Sequence, residues 1–291
     1  MGEQNRNSLE EDRYRAISRR EFIQRSAVLT GGLTAAVTMG ESLGSRDAYA
    51  AQVDPNDPAL TSSNVKFNST DGASVGGYLT RPKDNVPHPA IVVIHENQGL
   101  TDHIRDVARR LAKAGYVALA PDLLSREGGT ASFPTGQEAI AGIGKLDEES
   151  ITKDLTASIN YLKGQSFVRA NKIGVIGFCW GGGNALLIAT RNKDLAAAVV
   201  YYGRSPKNLD DVKNITASVL EHYGALDQAI TPQQPKLEEA MKKYGKSFEY
   251  HIYADAPHAF NNDTNPERYR ADAAKEAWGR TLDFFKKNLQ G

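Results

Sequence analysis

The feature that most constrains this chain is an alternation of two kinds of segment. Short apolar runs rich in β-branched residues recur between amphipathic stretches of helical spacing. Residues 65–69 and 75–81 read as a pair of opening strands around Asp71-Gly72, a hairpin signal. Residues 90–95 form a continuous apolar run, as expected of a strand covered on both faces. A helix over 104–114 follows, closed by Gly115, and then a buried strand over 116–120. The Gly- and Ser-rich stretch 125–144 reads as a long loop able to line a site. A helix over 151–162, a strand over 172–178 and a helix over 181–190 come next. Three further strands are expected over 195–202, 218–223 and 248–253, with helices over 232–244 and 266–288. Strands alternating with helices require crossover connections, so the expected fold class is α/β, a mostly parallel sheet with helices on both faces. No internal repeat and no second domain is legible.

The N-terminus reads as a targeting segment. Ser18-Arg19-Arg20-Glu21-Phe22-Ile23 is a twin-arginine pattern, a weakly apolar stretch runs from Ala27 to Met39, and Ala48-Tyr49-Ala50 offers small residues to a signal peptidase. The sequence therefore divides into a signal peptide over 1–50, a leader over 51–63 and one domain over 64–291. This predicts a periplasmic or otherwise exported protein, carried by the twin-arginine machinery. No apolar run reaches the roughly 18–20 residues of a membrane span, so no stable span is expected after processing. Lys+Arg and Asp+Glu both number 35, which gives no electrostatic reason to expect nucleic acid or an anionic surface as partner. The single cysteine, Cys179, excludes an intramolecular disulfide and leaves a small buried hydrophobe or a reactive thiol.

Context favours the reactive thiol. Gly177-Phe178-Cys179-Trp180-Gly181 lies between a predicted strand and a predicted helix, the Gly-x-nucleophile-x-Gly pattern with Cys in place of Ser. The glycines suit a turn too sharp for side chains at those places. The helix beginning behind the thiol aims N–H groups and its positive end at it, which is expected to lower the thiol pKa and to stabilise an oxyanion. A nucleophile needs a base, and the base an orienter, in the order nucleophile, acid, histidine along the chain. Asp227 falls just past the strand over 218–223, and His258 just past the strand over 248–253. His95, His222 and His251 lie in or near strands and read as core groups, His88 as surface loop, and His103 as the opening of a helix. Asp255 and Asp122 read as turn-shaping residues. No His/Cys/Asp cluster has metal-ligand spacing, so no metal or other cofactor is expected.

Together these segments resemble the dienelactone hydrolase (carboxymethylenebutenolidase) family. The match is carried by His95-Glu96-Asn97-Gln98-Gly99-Leu100, Pro121-Asp122-Leu123-Leu124-Ser125-Arg126, Gly177-Phe178-Cys179-Trp180-Gly181-Gly182, Gly224-Ala225-Leu226-Asp227 and Ala256-Pro257-His258-Ala259-Phe260. The resemblance implies an α/β-hydrolase fold and hydrolysis of a small ester or lactone through an acyl-enzyme on Cys179. It implies that Glu96 helps to generate the thiolate when substrate binds, that the N–H groups of Asn97 and Trp180 form the oxyanion hole, and that Arg126 binds a substrate carboxylate. Family members that cleave dienelactone carry a second arginine where this chain has Asn262, so half of the carboxylate clamp is missing, and Asn262 is expected to meet substrate with a neutral hydrogen bond in its place. Trp180, Phe178 and Phe260 are expected to put aromatic surface beside the thiol. Two other readings share these residues: a broad periplasmic esterase or thioesterase with the same triad, and a catalytically silent redox or binding protein in which Cys179 is oxidised.

Overall fold

The computed structural model describes residues 51–291; the expected signal peptide lies outside the described residues. Eight strands make one sheet: β1 (Leu60–Asn68), β2 (Ser74–Pro82), β3 (His88–Ile94), β4 (Val117–Asp122), β5 (Val168–Phe178), β6 (Leu195–Tyr201), β7 (Ser218–Gly224) and β8 (Phe248–Tyr253), in the spatial order β1-β2-β4-β3-β5-β6-β7-β8. The first two strands form the expected hairpin, with Gly72 at φ +88° in its turn, and β2 runs antiparallel to β4. Every other neighbouring pair is parallel. The helices are α1 (Asp102–Lys113), α2 (Gly136–Ile143), α3 (Glu148–Lys163), α4 (Trp180–Arg191), α5 (Gln234–Lys243) and α6 (Ala271–Phe285).

Alternation of side chains across the pleat divides the core into two layers. On one face α3, α4 and α5 bury Leu155, Leu186 and Leu237 against Val92, Val175 and Val219. On the other, α1 and α6 bury Ile104, Leu111, Phe284 and Phe285 against Ile91, Val93, Ile176 and Val199. Strands covered on both sides must be apolar at consecutive positions, which is why 90–94 and 197–201 read as unbroken runs.

Three expectations need correction. The 51–63 stretch is not a separate leader: β1 opens at Leu60, and the residues before it are bound to α1. The Gln52 and Val53 N–H groups donate to the buried Asp106 carboxylate, and Arg109 Nε donates to Val53 O at 2.8 Å. The 125–144 stretch contains α2, nucleated by a capping box between Thr135 and Glu138, a local signal masked by the surrounding glycines. The last helix begins at Ala271, because residues 262–270 are held in turns, with the Arg270 guanidinium bonding Asp255 O and Glu267 O.

Phe285 is fully buried, beside Tyr116 with ring centroids 6.0 Å apart. Phe285→Ala should cost about 3–5 kcal/mol, the usual transfer-plus-cavity cost. The expected readout is a lower urea midpoint with unchanged slope; an unmoved midpoint would show that the α6 layer is not part of the cooperative core.

Candidate active site

The C-terminal ends of the parallel strands converge on Cys179, the residue between β5 and α4. Its backbone sits at φ +54°, a region that L side chains rarely adopt. The glycines make that turn possible. A Cβ on Gly177 would stand 2.0 Å from Gly181 O, and one on Gly181 would stand 2.3 Å from His95 O. The second contact also brings the end of β3, with Glu96 and Asn97 just beyond it, against the start of α4. Cys179 N–H donates to Tyr201 O at 3.0 Å, which fastens the turn to β6.

Three loops bring the other side chains in. After β8, His258 places Nε2 3.0 Å from Cys179 Sγ and Nδ1 2.6 Å from Asp227 Oδ2. Asp227, past β7, is nearly buried, and its Oδ1 accepts the N–H groups of Ala229 and Ile230 at 3.1 Å each. A carboxylate so engaged is an acceptor, so Nδ1 of His258 carries the proton and Nε2 presents a lone pair to the thiol. The sequence-predicted Cys179, His258 and Asp227 are thus in one hydrogen-bonded line.

Glu96 lies within electrostatic reach of the same thiol. Burial first, and the Glu96 carboxylate second, push the Cys179 thiol up to about 11, while the Trp180 N–H pulls it down. The expectation that the helix end lowers this pKa is therefore corrected: burial and a nearby negative charge outweigh one oriented peptide group. In the resting enzyme the sulfur is a neutral thiol. Asn262 donates from Nδ2 to Glu96 Oε2 at 2.6 Å, and its own Oδ1 accepts the Thr264 N–H at 3.0 Å. Asn262 therefore holds Glu96; it is not an open group awaiting substrate.

Arg126 is also not available as expected. Its guanidinium bonds both Asp154 oxygens, at 2.7 and 2.9 Å, and Asp71 at 2.9 Å. Asp154 is almost fully buried in α3, so Arg126 neutralises a carboxylate that would otherwise be stranded. Phe178 and Phe260 are fully buried core residues, which leaves the half-buried Trp180 as the aromatic surface beside the thiol. Trp180 stacks on His95 with centroids 5.5 Å apart. His95 is enclosed, bonded to Glu96 O and to the Leu123 N–H, and burial holds its pKa down. Asp122 caps the loop after β4 by accepting from Leu124 N and Thr130 N. His88 opens β3 and pairs with Asp84. One residue with no motif signal enters the site: Tyr202, fully buried and at φ +42°, packs its ring 5.1 Å from that of His258.

Comparison with known proteins places this geometry in context. The sequence model of the Dienelactone hydrolase family matches residues 75–289. The chain is 36% identical over 238 residues to a carboxymethylenebutenolidase-type protein of Methylorubrum extorquens, covering 78% of this chain and 81% of that one. Among solved structures it is similar to a dienelactone hydrolase-type protein of Klebsiella pneumoniae, with TM-score 0.73, 31% identity, and 79% and 99% of the two chains covered. It is also similar to a dienelactone hydrolase-like promiscuous phosphotriesterase from metagenomic libraries, with TM-score 0.69, 27% identity, and 79% and 99% covered.

Two outcomes test this geometry. A thiol held near pKa 11 should be alkylated slowly by iodoacetamide at pH 7 in the absence of substrate, with the rate climbing only above pH 9; fast, pH-independent alkylation at pH 7 would mean a resting thiolate. Arg126→Ala strands the Asp154 carboxylate and should destabilise the fold by about 1–3 kcal/mol, discounted for the partial exposure of Arg126. It should change kcat/KM for charged and neutral esters alike, and a loss confined to carboxylated substrates would restore Arg126 as an anion anchor.

Proposed function

Since the chain belongs to the dienelactone hydrolase family, whose members hydrolyse ester and lactone bonds, we propose that it cleaves small esters or lactones through an acyl-enzyme on Cys179. The observation that carries the reading is the unbroken line from Asp227 through His258 to Cys179, with contacts of 2.6 and 3.0 Å. Nε2 of His258 takes the thiol proton as sulfur attacks the carbonyl carbon. The C–S bond forms, and the carbonyl π pair moves onto oxygen, where the N–H groups of Asn97 and Trp180 receive it. Collapse of this adduct breaks the C–O bond, and the imidazolium returns its proton to the departing alkoxide. A water, deprotonated by His258, then hydrolyses the thioester and frees the thiol. Asp227 keeps the imidazole in the required tautomer and stabilises its cation.

The resting state has no thiolate, so Glu96 is the group whose position sets the reactivity of Cys179. Asn262 holds its carboxylate through a neutral hydrogen bond. In a site with arginine at that place, an incoming carboxylate competes for a cation; here no cation is offered. With Arg126 saturated by Asp71 and Asp154, the substrates that fit best are neutral or monoanionic small esters. We also propose export by the twin-arginine route, supported by Arg19-Arg20 and the Ala48-Tyr49-Ala50 site.

Cys179→Ala should abolish turnover on a panel of lactones, enol esters and p-nitrophenyl esters, and Cys179→Ser should nearly do so. Near-wild-type hydrolysis by Cys179→Ala would remove the acyl-enzyme reading. Asn262→Arg should raise kcat/KM for carboxylate-bearing lactones by about 10-fold, the size of one charge-assisted contact, with less effect on p-nitrophenyl acetate. Equal effects on both would show that position 262 does not read substrate charge. Export predicts a shorter periplasmic form that disappears when Arg19 and Arg20 are both replaced by lysine; unchanged fractionation would refute it.

A further inference from the structure

His95 stands just past β3, completely enclosed, and its ring is bonded on both sides. The Leu123 N–H, just past β4, reaches Nε2 at 3.1 Å. A peptide N–H can only donate, so Nε2 accepts and the ring proton sits on Nδ1. Nδ1 therefore donates to Glu96 O, at 2.6 Å. Burial holds the pKa of the ring down, so it is neutral at pH 7 and keeps this tautomer. Glu96 O belongs to the same peptide unit as the Asn97 N–H. In a trans peptide the carbonyl and the N–H point opposite ways, so whatever fixes Glu96 O also aims the Asn97 N–H. The far end of this turn is held by Gly99, whose N–H donates to Glu96 O at 3.3 Å, and by the Leu100 N–H, which donates to Thr130 Oγ1 at 2.8 Å. The near end, next to the nucleophile turn, is held by the His95 ring. A Cβ on Gly181 would stand 2.3 Å from His95 O, and Trp180, the residue after Cys179, stacks on the His95 ring with an angle of 17° between the planes.

We infer that His95 is a positioning residue for the oxyanion hole: its Nδ1–H, held in place by the Leu123 N–H, fixes the Glu96–Asn97 peptide so that the Asn97 N–H faces the oxyanion formed when Cys179 attacks. This rests on the acyl-enzyme reading, with Asn97 as one of the donors. His95 acts through the peptide and not on substrate. A leucine or phenylalanine would fill such an enclosed place without burying polar atoms, so it is the pair of bonds that gives the imidazole a reason to be there. The bond to Glu96 O has two effects. It stops the peptide from rotating, so the donor is aimed before charge develops and no reorganisation is needed during the reaction. It also polarises the peptide, which strengthens the N–H at its other end as a donor.

The experiment compares His95→Gln with His95→Asn in the hydrolysis of p-nitrophenyl acetate. Glutamine carries its amide out to the level of Nε2 and can still accept from Leu123; asparagine carries its amide at the level of Nδ1 and can still donate to Glu96 O. His95→Gln should lower kcat by about 10–100-fold with KM within about twofold, somewhat less than the loss of a whole oxyanion donor. His95→Asn should recover most of that loss. Equal losses in the two variants, or no loss in either, would mean that His95 only joins two strand ends, and would overturn the inference. A trifluoromethyl ketone supplies a second readout: sulfur adds to its carbonyl carbon, the π pair becomes an oxyanion, and the thiol proton passes to His258. Its binding should weaken in His95→Gln by the same factor as kcat/KM, and unchanged binding overturns the inference. Iodoacetamide alkylation forms a C–S bond and expels iodide with no oxyanion, so His95→Gln should be alkylated at the wild-type rate; slowing that matches the fall in kcat would place the defect at the thiol and overturn the inference. One measurement needs no variant to fold: nitrogen NMR of the unaltered protein should find the His95 proton on Nδ1, and a proton on Nε2 overturns the inference. Failure of the acyl-enzyme reading is seen separately, as hydrolysis surviving Cys179→Ala.

Discussion

The turn at Cys179 is the constraint on which the rest of the site depends. A left-handed residue at the end of a central strand is stable only if the chain before and after it can pass within contact distance, and the backbone at Gly177 and Gly181 does so. That passage has further consequences. It brings the start of α4 against the end of β3, just ahead of Glu96 and Asn97, and Cys179 N–H is fastened to β6 through Tyr201 O. The sheet supplies the remaining precision. β7 and β8 run parallel in register, with Gly224 opposite Tyr253, so the loops bearing Asp227 and His258 leave side by side. A side chain on Gly224 would strike Ala256 O at 2.3 Å, which shows how closely those two loops are packed.

The electrostatics of the site oppose its chemistry at rest. Burial favours the neutral thiol, and Glu96 reinforces it. Such a thiol is protected from indiscriminate alkylation and oxidation, because both require the thiolate. Asn262 holds Glu96 through a neutral hydrogen bond, without contributing charge.

The fold was legible in the sequence because its signals are local. The β3 and β5 runs, the turn at Asp71-Gly72 and the glycines around Cys179 each carry their meaning within a few residues. Cys179, His258 and Asp227 were legible because strand ends mark where side chains converge. What was not legible is tertiary. Nothing near Arg126 in the chain reveals that Asp154, 28 residues on, claims its guanidinium, or that Asn262 reaches 166 residues back to Glu96. Tyr202 carries no motif at all; its place beside His258 emerges only when β6 is set beside the turn at Cys179. The thiol pKa failed for a different reason: a helix start can be read from sequence, but the burial that outweighs it cannot.

The peptide donors at Gln52 and Val53 have a practical reach. They close on Asp106 in α1, while the Gln52 side chain bonds Asp263, the residue after the one that holds Glu96. The start of the described chain and the loop beside the thiol are therefore fastened to a single acidic bracket. A purification tag joined at residue 54 would delete that fastening, whereas one joined after Gly291, which is exposed, adds nothing to it. For anyone preparing the protein, the choice of which end to extend is also a choice about how firmly the active-site loop is held.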